Sequence, residues 1–287
     1  MVLIQPVRCG KPLLDEIQQA LRCSDRLFLW WLGQSGFLLV YQGRSWLIDP
    51  YLSDSLTKKY SDTDKPHIRM TGQCIEPSLL NFVDVVSSSH NHTDHLDAET
   101  LVPLLDDAED TSVLVPLANI DFVAERLQVS STRLTPINAG QTLSLKSFRV
   151  TAVPAAHDEL QITPSGAFPY LGYVIHCGEI RLFHSGDTIP YPSMIDWLRP
   201  LKIDIAILPI NGRKPARRVA GNLWGDEAAE LAHAIGAQLT IPCHYDMFTF
   251  NTEPTDLFVN ACREQGLRHK VLQCGEQLQW PNFPTTR

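Results

Sequence analysis

Leu13, Leu14, Ile17 and Leu21 recur at helical spacing between Pro12 and Cys23, which predicts an amphipathic helix packed on the body of the protein or on a partner subunit. Three apolar runs follow, Leu27 to Leu32, Phe37 to Tyr41 and Ser45 to Ile48, divided by Gly33-Gln34-Ser35-Gly36 and Gln42-Gly43-Arg44; they read as an antiparallel meander. Between Leu52 and Ser78 periodicity lapses, and the polar composition with Pro66, Gly72 and Pro77 predicts a long surface loop. A short β-branched run, Phe82 to Val86, is a buried strand, and after it come a helix at Ala98 to Leu105, a strand at Ser112 to Val115, and a helix at Ala118 to Gln128 burying Ile120, Val123 and Leu127. Short strands return at Leu134 to Ile137, Thr142 to Leu145 and Phe148 to Val153, then a hairpin of Tyr170 to His176 and Ile180 to His184 around Cys177-Gly178-Glu179. A helix at Ser193 to Leu201, a strand at Ile203 to Leu208, a Gly- and Arg-rich loop from Asn211 to Gly225, a helix at Asp226 to Ile235, a strand at Gln238 to Ile241, and a last helix and strand between Asp256 and Leu272 complete the chain. Meander, βαβ, meander, βαβ is a pseudo-twofold order, although no sequence repeat, low-complexity tract or linker accompanies it.

Composition changes the picture in three ways. A chain of 287 residues with 44% hydrophobic content can bury a large core, so one α/β domain over residues 1–287 is expected. No window approaches the run of about twenty apolar residues that spans a bilayer, and Met1-Val2-Leu3-Ile4-Gln5-Pro6 lacks the basic and long apolar regions of a signal peptide, so a cytoplasmic protein is expected. The seven cysteines are odd in number and scattered without a Cys-x-x-Cys pair, as reduced thiols are, and Cys243, beside His244 but on the opposite strand face, is expected to be a buried thiol. A formal net charge of −8 argues against nucleic acid or an anionic membrane as partner and favours a small substrate, while leaving room for a local basic pocket.

Chemistry concentrates where the strand Phe82 to Val86 ends. Ser89-His90-Asn91-His92-Thr93-Asp94-His95 offers three imidazoles and a carboxylate within six residues at a core edge, a concentration that divalent metal coordination makes favourable. The competing reading, a solvated turn with chance histidines, does not account for later strand ends that supply further ligand types: His157 after Val153-Pro154-Ala155-Ala156, Asp187 in His184-Ser185-Gly186-Asp187-Thr188, and His244 in Ile241-Pro242-Cys243-His244-Tyr245. His-x-His-x-Asp-His followed by these residues in this order resembles the metallo-β-lactamase superfamily. Within it, Trp31-Leu32-Gly33-Gln34-Ser35-Gly36, Asp49-Pro50-Tyr51-Leu52, Leu208-Pro209-Ile210-Asn211-Gly212-Arg213 and Ile241 to Tyr245 resemble the L-ascorbate-6-phosphate lactonase branch.

The resemblance implies a four-layer αβ/βα sandwich, two mixed sheets flanked by helices, with metals along one edge of the sheets. It implies His90, His92 and His157 on one metal, Asp94, His95 and His244 on a second, and Asp187 bridging both, with Asp94 also catalytic. It gives Asp49 the task of buttressing the metal loop, for which a plain turn residue before Pro50 is the alternative. A hard bridging carboxylate where a cysteine could stand suits two divalent ions of zinc or manganese, iron also being compatible, and a single ion is the variant. Five of the ten histidines are thereby used; His176, His184, His233 and His269 read as packing or surface residues.

Two divalent ions about 3.5 to 4 Å apart can share a hydroxide at neutral pH, a nucleophile suited to lactones, thioesters, amides and phosphodiesters alike. Pocket residues must discriminate. Arg213, Lys214, Arg217 and Arg218 place four cations within six residues, so Asn211 and Arg213, with Tyr245 beyond the last histidine, are expected to bind an anionic substrate, a solvated basic loop being the alternative. Met247 and Phe248 can wall the pocket or pack in the core; His67 and Arg69 can face a phosphate or carboxylate, though solvated loop charge is the primary reading of both. The expected function is a metal-dependent, lactonase-like hydrolase that uses a metal-bound hydroxide on a small anionic lactone or ester. The alternative is a phosphodiesterase or nuclease of the same superfamily, against which stand the net charge and the lack of a basic, glycine-rich arm. A non-catalytic metal or redox protein fits less well, because the oxygen-reducing relatives need a carboxylate where His92 stands and a flavin domain. A homo-oligomer is left open.

Overall fold

The computed structural model describes residues 2–106 and 108–281. Two mixed sheets form its centre. The first takes β1 (Leu27–Gly33), β2 (Gly36–Tyr41), β3 (Arg44–Ile48), β4 (Val85–Ser87), β5 (Ser112–Pro116) and β6 (Leu134–Ile137) in chain order, and β13 (Gln277–Trp280) closes its β1 edge. β13, β1, β2 and β3 pair antiparallel, and β3 to β6 pair parallel. The second sheet runs β12 (Leu239–Cys243), β11 (Ile205–Pro209), β10 (Ile180–His184), β9 (Leu171–Cys177), β8 (Phe148–Pro154) and β7 (Thr142–Leu145), again a parallel run of three joined to an antiparallel meander. The pseudo-twofold order of the sequence is therefore the order of the sheets.

The apolar alternation explains the layering. In β1 every residue is buried, because Leu27, Leu29 and Trp31 point into the core between the sheets while Phe28, Trp30 and Leu32 point to the helical side. There they meet α1 (Gly10–Ala20), through Leu13 and Ile17, together with α3 (Ala98–Leu105) and α4 (Ile120–Leu127). α1 thus spends its apolar stripe on the body of its own chain. The second sheet is covered by α5 (Met194–Leu198), α6 (Gly225–Ile235) and α7 (Asp256–Glu264), whose Leu198, Ala228, Ala232 and Phe258 join the central core. Two mixed sheets flanked by helices is the sandwich expected. Among the described residues no helix is long and apolar enough to cross a membrane, and all seven cysteines are unpaired, Cys243 among the buried ones.

Three expectations need correction. The segment from Leu52 to Ser78 is not without structure: α2 (Ser55–Lys59) lies in it and a 3-10 turn begins at Pro77, both too short to establish a period, with Leu56 the only buried side chain of α2. The last strand lies beyond Leu272, at β13, where Gln277 and Gln279 alternate with the buried Leu278 and Trp280. In the last predicted strand region, only an isolated bridge from His269 to Thr240 forms. The helix expected from Ala118 begins at Ile120 after a 3-10 turn, and Ile120 is only partly buried.

Candidate metal centre

Strand ends deliver the cluster. β4 runs into the loop carrying His90, His92, Asp94 and His95; β8 leads to His157, β10 to Asp187 and β12 to His244, and β3 ends at Asp49. All are carboxyl ends, the edge at which side chains from parallel strands of two facing sheets can converge. Gly186 makes the convergence sterically feasible: it holds φ +59°, and a Cβ there would lie 2.7 Å from the Ser89 Cβ and 2.8 Å from the Leu171 carbonyl oxygen. Gln34, Asp49 and His244, none of them glycine, also hold left-handed backbone, with φ of 50°, 42° and 64°. Such conformations persist where the surroundings over-determine them.

Ligand-type atoms fall into two sets, His90, His92, His157 and Asp187 in one and Asp94, His95 and His244 in the other, with the atoms of each set within 4.8 Å of one another. Asp187 stands between them: Oδ1 lies 3.2 Å from His95 Nε2, and Oδ2 lies 3.7 Å from His157 Nε2 and 3.5 Å from His244 Nε2. Yet His90 Nε2, His95 Nε2 and Asp187 Oδ1 are sealed from solvent without a hydrogen bond. Buried polar atoms left unpaired cost about 1–3 kcal/mol each, so three of them aimed into one space are the signature of a group to be coordinated there. The nitrogen and oxygen donors, with no thiolate, fit divalent zinc, manganese or iron.

The opposite edges of the rings are held. His95 Nδ1 donates to Asp49 Oδ2 at 2.7 Å, and that carboxylate also accepts from Ser89 N at 2.8 Å and Ser89 Oγ at 2.5 Å. His157 Nδ1 donates to the Gly221 carbonyl at 2.9 Å, and His90 Nδ1 lies 3.0 Å from Ser89 Oγ. Each contact places a proton on Nδ1, so that Nε2 is the nitrogen left to ligate when the ring is neutral. Asp49, fully buried, therefore orients the loop as the resemblance implied and is no plain turn residue. Gln34 Nε2 donates to Asp94 Oδ2 at 2.8 Å, a contact that sequence reasoning missed because a lone glutamine in a Gly-x-x-Gly turn carries no chemical signal. Arg126 donates through Nη1 to the carbonyls of Asn91, at 2.6 Å, and Leu96, at 3.3 Å, bracing the ligand loop from α4.

The electrostatics differ between the two sets. Burial, with His95 and His92 nearby, pushes His90 well below the usual imidazole range, so it is neutral and ready to ligate. Burial opposes charge at His95 and His244 too, but the carboxylates of Asp187 and Asp94 outweigh it, raising His95 well above its usual range and His244 to about 9. Asp94 and Asp187 are held well below the carboxylate range, burial being outweighed by His95 and His244.

The cluster forms the floor of a cavity of about 550 Å³. Its walls bring in Lys59, Tyr60, Lys65, His67, Phe122, Arg126, Tyr170, Arg218 and Phe248, and among the described residues its only carboxylates are Asp94 and Asp187, both in the cluster. Of the residues expected to bind substrate, Asn211, Arg213 and Tyr245, none lines it. Arg213 is bidentate on Glu227, at 2.5 and 2.6 Å, and donates to the Asn222 carbonyl. Asn211 is fully buried and hydrogen-bonded to Asn222 and Asn251; Tyr245 stacks on Trp31 with centroids 4.4 Å apart and its hydroxyl donates to the Leu272 carbonyl. Lys214 and Arg217 pair with Glu253, so Arg218, paired with the exposed Asp64, is the cation of this loop that reaches the cavity. Met247 packs in a small cluster with Tyr51, Leu56 and Phe248. Arg69 is bound to Asp54 and the Thr71 carbonyl and stays out of the cavity, whereas His67, read as solvated, is nine-tenths buried in its wall.

Residues 44–245 match the profile of the Beta-lactamase superfamily domain. The chain is 28% identical over 258 residues to a UPF0173 metal-dependent hydrolase of Methanoculleus marisnigri, covering 88% of this chain and 96% of that protein. It is 30% identical over 218 residues to a UPF0173 protein of Pyrococcus abyssi, covering 76% and 83% of the two. Among solved structures it superimposes on the metallo hydrolase Igni18 of Ignicoccus hospitalis with a TM-score of 0.64 at 17% identity, over 90% of this chain and all of the other, a likeness of fold.

Proposed function

This chain belongs to the beta-lactamase superfamily and within it to the UPF0173 family, and from that premise we propose a metal-dependent hydrolase of a small anionic ester or lactone. In this reading His90, His92 and His157 would hold one divalent ion and Asp94, His95 and His244 a second, with Asp187 shared between the two sets. Such ions, zinc or manganese by the donor set with iron compatible, would supply Lewis acidity, lowering the pKa of water toward neutrality and polarising the oxygen of an electrophile. The protein's part is orientation. Gln34 donates to Asp94 Oδ2, the oxygen that faces His95 and His244 in the second set, and so fixes the carboxylate, whose other oxygen can accept a proton from the attacking water. Arg126 and Asp49 brace the ligand loop through hydrogen bonds to its backbone.

One observation carries the substrate class. In a chain of net charge −8, the cavity above the cluster is charge-inverted: Lys59, Lys65, Arg126 and Arg218 line it, and among the described residues no carboxylate outside the cluster does. Low-dielectric walls focus such a field, so an anionic substrate is drawn in and a neutral one is not. The volume suits a sugar-sized molecule, which favours a phosphorylated or carboxylated lactone or ester over a polymer.

The test compares a phosphorylated sugar lactone, its uncharged parent and bis(p-nitrophenyl) phosphate on protein purified without chelators, with metal content measured alongside. The charged lactone should be the best of the three. His244→Ala should lose metal and turnover together, while Asp94→Asn should cost at least about a hundredfold in kcat, the range of a lost general base, without unfolding the protein. Turnover of the diester alone by fully metallated protein would replace the lactonase reading with a phosphodiesterase.

A further inference from the structure

His67 stands in the cavity wall as a second polar reader. Its ring is 9% exposed, stacked on Tyr60 at 4.4 Å between centroids, and set edge-on to Phe248 at 5.2 Å, with Phe250 tilted against it at 5.2 Å. Nδ1 lies 2.8 Å from the Lys65 carbonyl oxygen. A carbonyl can only accept, so Nδ1 carries the proton, and Nε2 of the neutral ring is an acceptor. Nε2 has no hydrogen-bond partner among the described residues; since it is not among the atoms sealed from solvent, and His67 lines the cavity, that acceptor is open to the cavity.

A simple packing role does not explain this arrangement. An apolar ring would fill the Tyr60, Phe248 and Phe250 cage as well, and would not require an acceptor to be presented in it. Burial, helped by Lys59 and His244, outweighs the pull of the Lys65 carbonyl and Asp94 and holds the ring below its usual range, unprotonated at neutral pH. The aromatic cage and the Lys65 carbonyl together fix both where the lone pair sits and which nitrogen bears it.

We infer that His67 is a specificity-determining residue, accepting through Nε2 a hydrogen bond from a hydroxyl of the substrate, so that the anion taken at the cationic rim is a hydroxylated one. This rests on reading the cavity as the substrate site. It says that a site built with a fixed acceptor discriminates against analogues that lack the donor, because the acceptor is then left unpaired.

The test uses zinc-loaded protein labelled with 15N-histidine and two probes of equal charge: D-gluconate, hydroxylated at every carbon beyond the carboxylate, and hexanoate, which has no hydroxyl. Neither anion has an ester or lactone bond, so turnover does not change the probes during the measurement. His67 Nε2 should resonate as an unprotonated nitrogen, and should shift with the first probe and not with the second. His67→Phe should weaken binding of the first roughly three- to tenfold, the range of one neutral hydrogen bond, with the second unchanged and metal content intact. His67→Gln, which keeps an acceptor, should recover part of the loss, and the wild-type spectrum decides the matter if the phenylalanine variant does not fold. A protonated Nε2, equal shifts with both probes, or a shift with neither overturns the inference. A selective Nε2 shift in a protein that hydrolyses no lactone supports it and overturns the hydrolase reading alone.

Discussion

Asp49→Asn is the sharpest perturbation of the cluster that leaves every ligand in place. The carboxylate is fully buried and takes three donors: Oδ1 accepts from Ser89 N, and Oδ2 from Ser89 Oγ and His95 Nδ1. An amide of the same shape keeps one acceptor oxygen and turns the other position into a donor. If its oxygen stays on Ser89 N, its NH2 faces His95 Nδ1–H, and the ring escapes only by moving its proton to Nε2, the atom that has no partner and points at the cluster. A charge-assisted hydrogen bond is worth about 1.5–3 kcal/mol, and loss of a partner behind a ligating histidine costs about 10–100-fold in metal affinity. Those figures agree, since 10–100-fold is about 1.4–2.8 kcal/mol. Competition with a chromophoric chelator should therefore show that loss, with circular dichroism reporting an intact fold. Unchanged affinity would refute the reasoning, because it would mean that the Asp49 contact does not set the tautomer of His95.

Arg213→Ala should leave kcat/KM unchanged and lower stability by about 1 kcal/mol or less, its ion pair with Glu227 being over a third exposed on the arginine side and screened; a loss of activity in a steady-state assay would restore it to the substrate site. Arg218→Ala should raise KM several-fold for a charged lactone, more at low salt than at 1 M, where the Debye length falls to about 3 Å, and leave KM for the neutral lactone unmoved. In the metal-free protein His244 is raised above 6.5 to about 9, so its contribution to stability is complete below pH 6.5 and fades as pH rises through about 9. The same proton must leave before the ring can ligate, so zinc affinity should climb across that window with protons released on binding. Calorimetry in buffers of different ionisation enthalpy measures the release, and a pH-independent affinity without it would contradict the assignment of His244.

Much of the centre was legible because its information is local. Four of its seven residues sit in one loop, the others each follow a recognisable apolar run, and β-branched segments with both faces buried announce themselves without reference to neighbours. The pseudo-twofold order of elements likewise predicts the two sheets, since meanders pair antiparallel and helical crossovers pair parallel. What sequence could not decide was which of the remaining polar groups are spent on one another. Arg213 looked like an anion reader until Glu227, fourteen residues on, came round a helix turn to neutralise it, and His67 looked solvated until Tyr60 and Phe248 closed over it. β13 was missed for a related reason: four residues carry too little period to declare a strand, and its stabilising partner is β1, some 250 residues earlier in the chain. The amino-acid sequence by itself determined where metal-ligand chemistry could be placed, because strand ends and ligand spacing are short-range properties. The tertiary structure alone decided the character of the cavity, because free charge, burial and an unpaired lone pair exist only as differences between a group and the neighbours that folding brings to it.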